Sequence, residues 1–180
     1  MNQLKKNFFY NIVYQILILI LPLITVPYVS RVLGVDGVGI HSYTYSISYY
    51  FMLIAMLGLN NYGNRSIAKV RDDKEKLSST FWSIYLLQFI VSTLMVISYI
   101  AYINLFDVTY KKIAIIQIMY VISSMFDINW FLFGLEKFKL TVMRNTIIKI
   151  TSLLFIFLFV KSRDDLWVYT LILSGSTLLS

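Results

Sequence analysis

The chain is a succession of apolar stretches, each close to one membrane crossing in length, separated by short segments that carry most of its charge. A helix rises 1.5 Å per residue, so roughly 20 apolar residues cross about 30 Å of hydrocarbon. Residues 8–29, 42–62, 81–105, 113–135 and 142–160 are nearly complete crossings, and a sixth stretch, 166–180, is incomplete. Lipid offers the backbone no hydrogen bonds, so every peptide group must be satisfied within the segment. The predicted fold class is therefore all-α: a polytopic membrane helix bundle of about five full transmembrane helices plus the start of a sixth. A balance of 58% hydrophobic to 14% charged residues excludes an ordinary soluble domain.

The first stretch is too long for the apolar core of a signal peptide, and no small-x-small cleavage site follows it, so it is read as a retained span. The sixth is short for a crossing, and the expectation is that the chain stops inside an element, as a piece of a longer transporter or the product of a shortened gene.

The net charge is +7. Most basic residues lie between the apolar stretches, where they orient a membrane protein, so no nucleic-acid partner is expected. With the amino terminus in the cytoplasm, that side holds Lys5, Lys6, Arg65, Lys69, Arg71, Lys74, Lys76, Lys137, Lys139 and Arg144. The other side holds Arg31, Lys111, Lys112, Lys161 and Arg163, a bias of roughly two to one for this orientation. "NRSIAKVRDDKEKLSST" is read as a cytoplasmic connector with local helical character, Asp72 and Lys76 standing at i,i+4.

The absence of cysteine leaves no disulfide framework, thiol nucleophile or thiolate-bound metal. His41, the only histidine, has no neighbouring ligands in sequence, so no metal site is expected. Gly34, Gly37 and Gly39 read as a tight turn reversing the chain at the outer surface, not as a phosphate loop, because the Lys-Ser/Thr pair and the dinucleotide spacing are both missing.

Several spans carry polar stripes. Asn11, Gln15, Pro22 and Thr25 share one helix face, and Pro22 and Pro27 each remove a backbone donor, so a helix bend is expected there. Ser42, Tyr45, Ser46 and Tyr49 share a face of the second span, a wall of hydroxyls and flat rings suited to a sugar; an interfacial aromatic belt is the competing reading. "SSMFDINWFLFGLEK", residues 123–137, sets Asp127 and Asn129 in an apolar, aromatic run.

"PYVSRVLGVDGVG", "NNYGNR" and "FDINWF" together resemble the amino-terminal part of the Wzx-type oligosaccharide flippases, the polysaccharide transporter branch of a superfamily that includes multidrug extruders and lipid II flippases. The resemblance implies two helix bundles across a central cavity, of which this chain is the amino-terminal one. It implies no enzymatic activity, but alternating access that flips polyprenyl-diphosphate-linked oligosaccharide across the bacterial cytoplasmic membrane for O antigen, capsule or a related glycan. Partners implied are the lipid-linked oligosaccharide, membrane lipids, and the polysaccharide polymerase and chain-length machinery. No cofactor is implied beyond a coupling proton or sodium ion.

On this reading Arg31 and Arg65 contact the diphosphate, while Asn11, Gln15, Tyr45 and Tyr49 line the path. If spans four and five form a hairpin turning near residues 138–139, Asp127 lies at the depth of Lys149, near the bilayer centre. An isolated charge there costs about 2.5–3.5 kcal/mol on an insertion scale, which pairing offsets. The pair either locks the hairpin or acts as a coupling or gating switch. The rivals are a multidrug antiporter of the same superfamily, an inactive truncated flippase, and a membrane-embedded glycan enzyme, for which the sequence holds no catalytic carboxylate or histidine cluster.

Overall fold

The computed structural model describes residues 3–106 and 108–180, with side chains from residue 12 onward except 13, 14 and 17. The described elements are helices: α1 Gln3–Val32, α2 Gly34–Met56, α3 Leu59–Val70, α4 Lys74–Leu105, α5 Lys111–Ile116, α6 Ile118–Phe126, α7 Asn129–Gly134, α8 Phe138–Phe159 and α9 Leu166–Leu179, with a 3-10 turn at Arg163–Asp165 before α9. By length and apolarity alone, Lys74–Leu105, Lys111–Gly134 and Phe138–Phe159 are each sufficient to cross a membrane. The serines, tyrosines, His41 and Asp36 lower the apolarity of α2, and α9 has 14 residues.

α2 packs on α1, α4 and α6; α6 lies between α2, α4 and α9; α8 packs on α1 and α9; and α3 and α7 close one end of the bundle together with α4. Beside its apolar clusters the interior holds many polar side chains, and much of the surface is apolar. Leu23 is 73% exposed, whereas Ser48, Gln88, Ser92, Thr170 and Ser174 are fully buried. Lipid tails are as apolar as leucine, so burying leucine gains little, and the helices associate through close packing and interhelical hydrogen bonds such as Ser124 Oγ to Ser92 Oγ at 3.1 Å.

Three expectations change. The chain reverses over Leu33–Gly34 alone: Gly34 has φ +74, while Gly37 and Gly39 are helical, so the second span begins eight residues earlier than its hydropathy indicates. The connector after α2 is mostly the helix α3, and Asp72 lies in the turn that follows it, outside the i,i+4 geometry. Asp73 instead caps α4, accepting from the Lys76 amide at 3.2 Å and pairing with its ammonium at 2.9 Å. The fourth span is interrupted at Gln117 and at Asp127–Ile128. α1 is assigned helical through Pro22 and Pro27, and between them Thr25 donates back to the Leu21 carbonyl at 2.9 Å.

The corner before α9 is tied by Asp165, which accepts from the Lys161 amide (2.9 Å), the Ser162 amide (2.7 Å) and the Ser162 hydroxyl (2.9 Å). These bonds favour the ionised carboxylate and hold it below its ordinary value of 3.8. A carboxyl depressed in the folded state contributes stability that is present above the unfolded value and lost as pH falls through the folded one. Hydrogen exchange of the 160–166 segment, corrected for intrinsic rates, is expected to show constant protection from neutral pH down to the ordinary carboxylate range and a loss below it. Asp165→Asn is expected to abolish that dependence.

Candidate functional site

Two cavities follow α2, α6 and α9 through the bundle. The first, of about 340 Å³, lies between α1, α2, α6, α8 and α9. Its polar wall includes Thr25, His41, Tyr45, Tyr120, Tyr169 and Ser176, and among its lining residues Lys149 is the one lysine, arginine or carboxylate. The second, of about 450 Å³, lies where α2 breaks into α3 and α6 into α7, and is lined by Tyr49, Asn60, Asn61, Asp127 and Asn129 among others. Thr177 lines both, so they adjoin.

The aromatic wall follows the stripe on α2. The His41 and Tyr45 rings stack at 6.1 Å with 9° between planes, and Tyr45 meets Tyr49 at 5.9 Å. Tyr120 from α6 meets Tyr45 edge-on at 4.9 Å, and Tyr169 from α9 meets His41 edge-on at 4.9 Å. Residues 41, 45 and 49 are one helical turn apart, which is why a single face carries all three.

Asp127 has a local role. Its backbone is extended (φ −72, ψ 99), and its Oδ1 accepts from the Asn129 amide at 3.0 Å, an Asx-type turn that leads into α7. The carbonyls freed by the break are met by Gln88 of α4, whose Nε2 donates to the Ser124 oxygen at 2.7 Å and the Asp127 oxygen at 2.9 Å. Gln88 Oε1 accepts from Trp130 Nε1 at 2.8 Å, so the side chain is satisfied at both ends. Arg144 of α8, counted from sequence as a loop anchor, donates to Asn129 Oδ1 at 2.8 Å.

Asp127 and Lys149 are therefore not a pair. The ion pairs among the described residues are Arg71–Glu136 and Asp73–Lys76, and Asp127 and Lys149 line different cavities. A straight helix through residues 113–135 would align Tyr120, Ser123, Asp127 and Gly134; the break turns Asp127 back onto its own backbone. Gly134 instead packs against Ile67 of α3.

Of the other residues read as a site, Tyr45 and Tyr49 lie on the two cavities, and Pro22 lines the one that holds Lys149. Gln15, Arg31 and Arg65 are exposed and line neither cavity, and the Asn11 side chain lies outside the described residues. Arg65 projects from the face of α3 opposite the buried Leu59, Gly63 and Ile67. Sequence reasoning missed the polar cluster of His41, Gln117 and Thr170. Its members lie 76 and 129 residues apart, beyond the reach of any local pattern.

The family model described as "Polysaccharide biosynthesis protein" matches residues 4–180. The chain belongs to this family. It is 27% identical over 180 residues to a protein of Escherichia coli (strain K12) named "Putative O-antigen transporter", an alignment covering 98% of this chain and 43% of the relative. A protein of the same name from Shigella dysenteriae is 27% identical over 147 residues, covering 81% of this chain and 37% of the relative. The chain thus spans about two fifths of the length of these relatives. No solved structure matches it. As a polysaccharide biosynthesis family member with an all-helical, apolar architecture, it is a membrane protein.

Proposed function

We propose that this bundle lines part of a path along which polyprenyl-diphosphate-linked oligosaccharide repeat units cross the bacterial cytoplasmic membrane by alternating access, for O antigen, capsule or a related polysaccharide. The protein acts as a transporter rather than an enzyme, with its amino terminus in the cytoplasm. The observation that carries this reading is Lys149, a cation at mid-helix in a groove whose wall joins hydroxyls and aromatic rings to the aliphatic Ile18, Leu21, Leu153, Ile156 and Leu173. Such a charge is expensive in lipid and reads as functional. An ammonium is a point-charge partner for a diphosphate, and flat rings with hydroxyls suit the sugar that follows it. A cationic drug would meet repulsion from Lys149, which disfavours the multidrug reading.

A charged hydrogen bond contributes about 1.5–3 kcal/mol, so removing it is expected to slow transport roughly ten- to hundredfold below saturation. In cells lacking their own flippase, the gene carrying Lys149→Ala should yield little surface polysaccharide and accumulate the lipid-linked precursor, while Lys149→Arg retains export. Normal export from Lys149→Ala, at equal membrane abundance, would refute the assignment.

A further inference from the structure

His41 is 8% exposed, yet its hydrogen bonds account for only one ring nitrogen. Nδ1 lies 3.2 Å from Thr170 Oγ1. That hydroxyl donates its proton to the Leu166 carbonyl at 2.9 Å, so toward the imidazole it presents a lone pair. This contact puts the hydrogen on Nδ1. Gln117 Nε2 carries two hydrogens: one is donated to the His41 carbonyl at 3.3 Å, and the other stands 3.5 Å from Nδ1, a longer contact than that with Thr170.

With the proton on Nδ1, Nε2 is left with a lone pair. No described group donates to it, and it is not among the fully enclosed unpaired atoms, so it opens on the groove that His41 lines. Gln117 Oε1, in the same cluster, is also a buried acceptor without a donor among the described residues. The cluster is short of a hydrogen.

From this geometry we infer that His41 Nε2 is a proton-binding site of the groove and that its occupancy is linked to an anion held by Lys149. The inference rests on the reading that the groove takes a diphosphate. Among the described residues, the titratable groups that line the groove besides His41 are Tyr45 from α2, Tyr120 from α6, Lys149 from α8 and Tyr169 from α9. Without a bound anion, an imidazolium would share the groove lining with the Lys149 ammonium and be opposed by like charge. A bound diphosphate reverses that balance, favouring His41 as the imidazolium, with Nδ1–H still directed at Thr170 and a new Nε2–H directed into the groove. Linkage is reciprocal: if the anion favours the proton, the proton tightens the anion by the same factor. The proton comes from the aqueous phase: the Nε2–H bond forms as an O–H bond of hydronium breaks, and no other bond changes.

The single histidine makes the test direct, provided the affinity tag contains none. Nitrogen-15 spectra of the full chain in nanodiscs should show the Nδ1–H tautomer at neutral pH and conversion to imidazolium when farnesyl diphosphate is added. In calorimetry with the same probe, affinity between pH 8 and pH 6 should rise roughly three- to tenfold more in the parent protein than in His41→Asn, which keeps a donor for Thr170 but cannot titrate. Comparing the two proteins cancels the titration of the probe itself. An Nε2–H tautomer, or equal pH dependence in His41→Asn, would overturn the proton site. Unchanged binding by Lys149→Ala would instead overturn the proposed function, because the groove would then not be where the anion sits.

Discussion

Gly63→Ala is expected to lower the stability of the bundle by about 2–3 kcal/mol, toward the upper end of what overpacking a close contact costs. A Cβ built at Gly63 falls 2.5 Å from Trp130 Cε3 and 2.7 Å from Cδ2. The indole cannot swing aside, since its Nε1 is bonded to Gln88 and the residue is 1% exposed among Leu59, Ile67 and Ile84. The same contact joins α3 to α7, so the added methyl should pry apart the end of the bundle where both cavity-forming breaks lie. Gly39→Ala is the control: nothing lies within 4 Å of its Cβ position, and alanine is the better helix former. Denaturant titration in mild detergent should separate the two variants clearly. Trp130→Phe should recover part of the loss in Gly63→Ala, because the smaller ring leaves room for the methyl.

Gln88→Met should cost about 2–3 kcal/mol despite its nearly equal volume. The substitution strands the Ser124 and Asp127 carbonyls and the Trp130 indole N–H, at about 1 kcal/mol or more for each buried group left unpaired. Interhelical bonds in membrane proteins average only about 0.6 kcal/mol because partners are often replaced. Here replacement is hard, since the two carbonyls are held at a helix break against a fully buried Gln88. The expected signature is faster hydrogen exchange across 124–131 together with a lower unfolding midpoint, with α1 and α8 unaffected.

The architecture was legible because membrane physics reads out directly as apolar length: the segments around 81–105, 113–135 and 142–160 nearly coincide with stretches long and apolar enough to cross a membrane. The α2 stripe was legible because Tyr45 and Tyr49 repeat at one turn. The break at Asp127 was not, since neither glycine nor proline marks it; the signal is an Asp-x-Asn turn, and the residue that stabilises it, Gln88, is 39 positions away from Asp127. Extrapolating a straight helix through that break produced the Asp127–Lys149 pairing, which the fold replaces with two separate environments. Arg31 and Arg65 drew attention by charge alone, and charge does not report which face of a helix meets a cavity. Lys149 was recognised as anomalous for the right physical reason, an ammonium inside a span, although its surroundings had to come from the fold.

On the proposed function, the groove beside Lys149 carries the glycolipid. A photoreactive amino acid at Leu153, on the groove wall, and at Ile97, 58% exposed on α4, compares that path with the lipid-facing surface. In cells making radiolabelled lipid-linked oligosaccharide, illumination should crosslink the labelled glycolipid at position 153 and not at position 97, and Lys149→Ala should reduce the yield at 153. Equal labelling at both positions, or a yield at 153 indifferent to Lys149, would contradict the account.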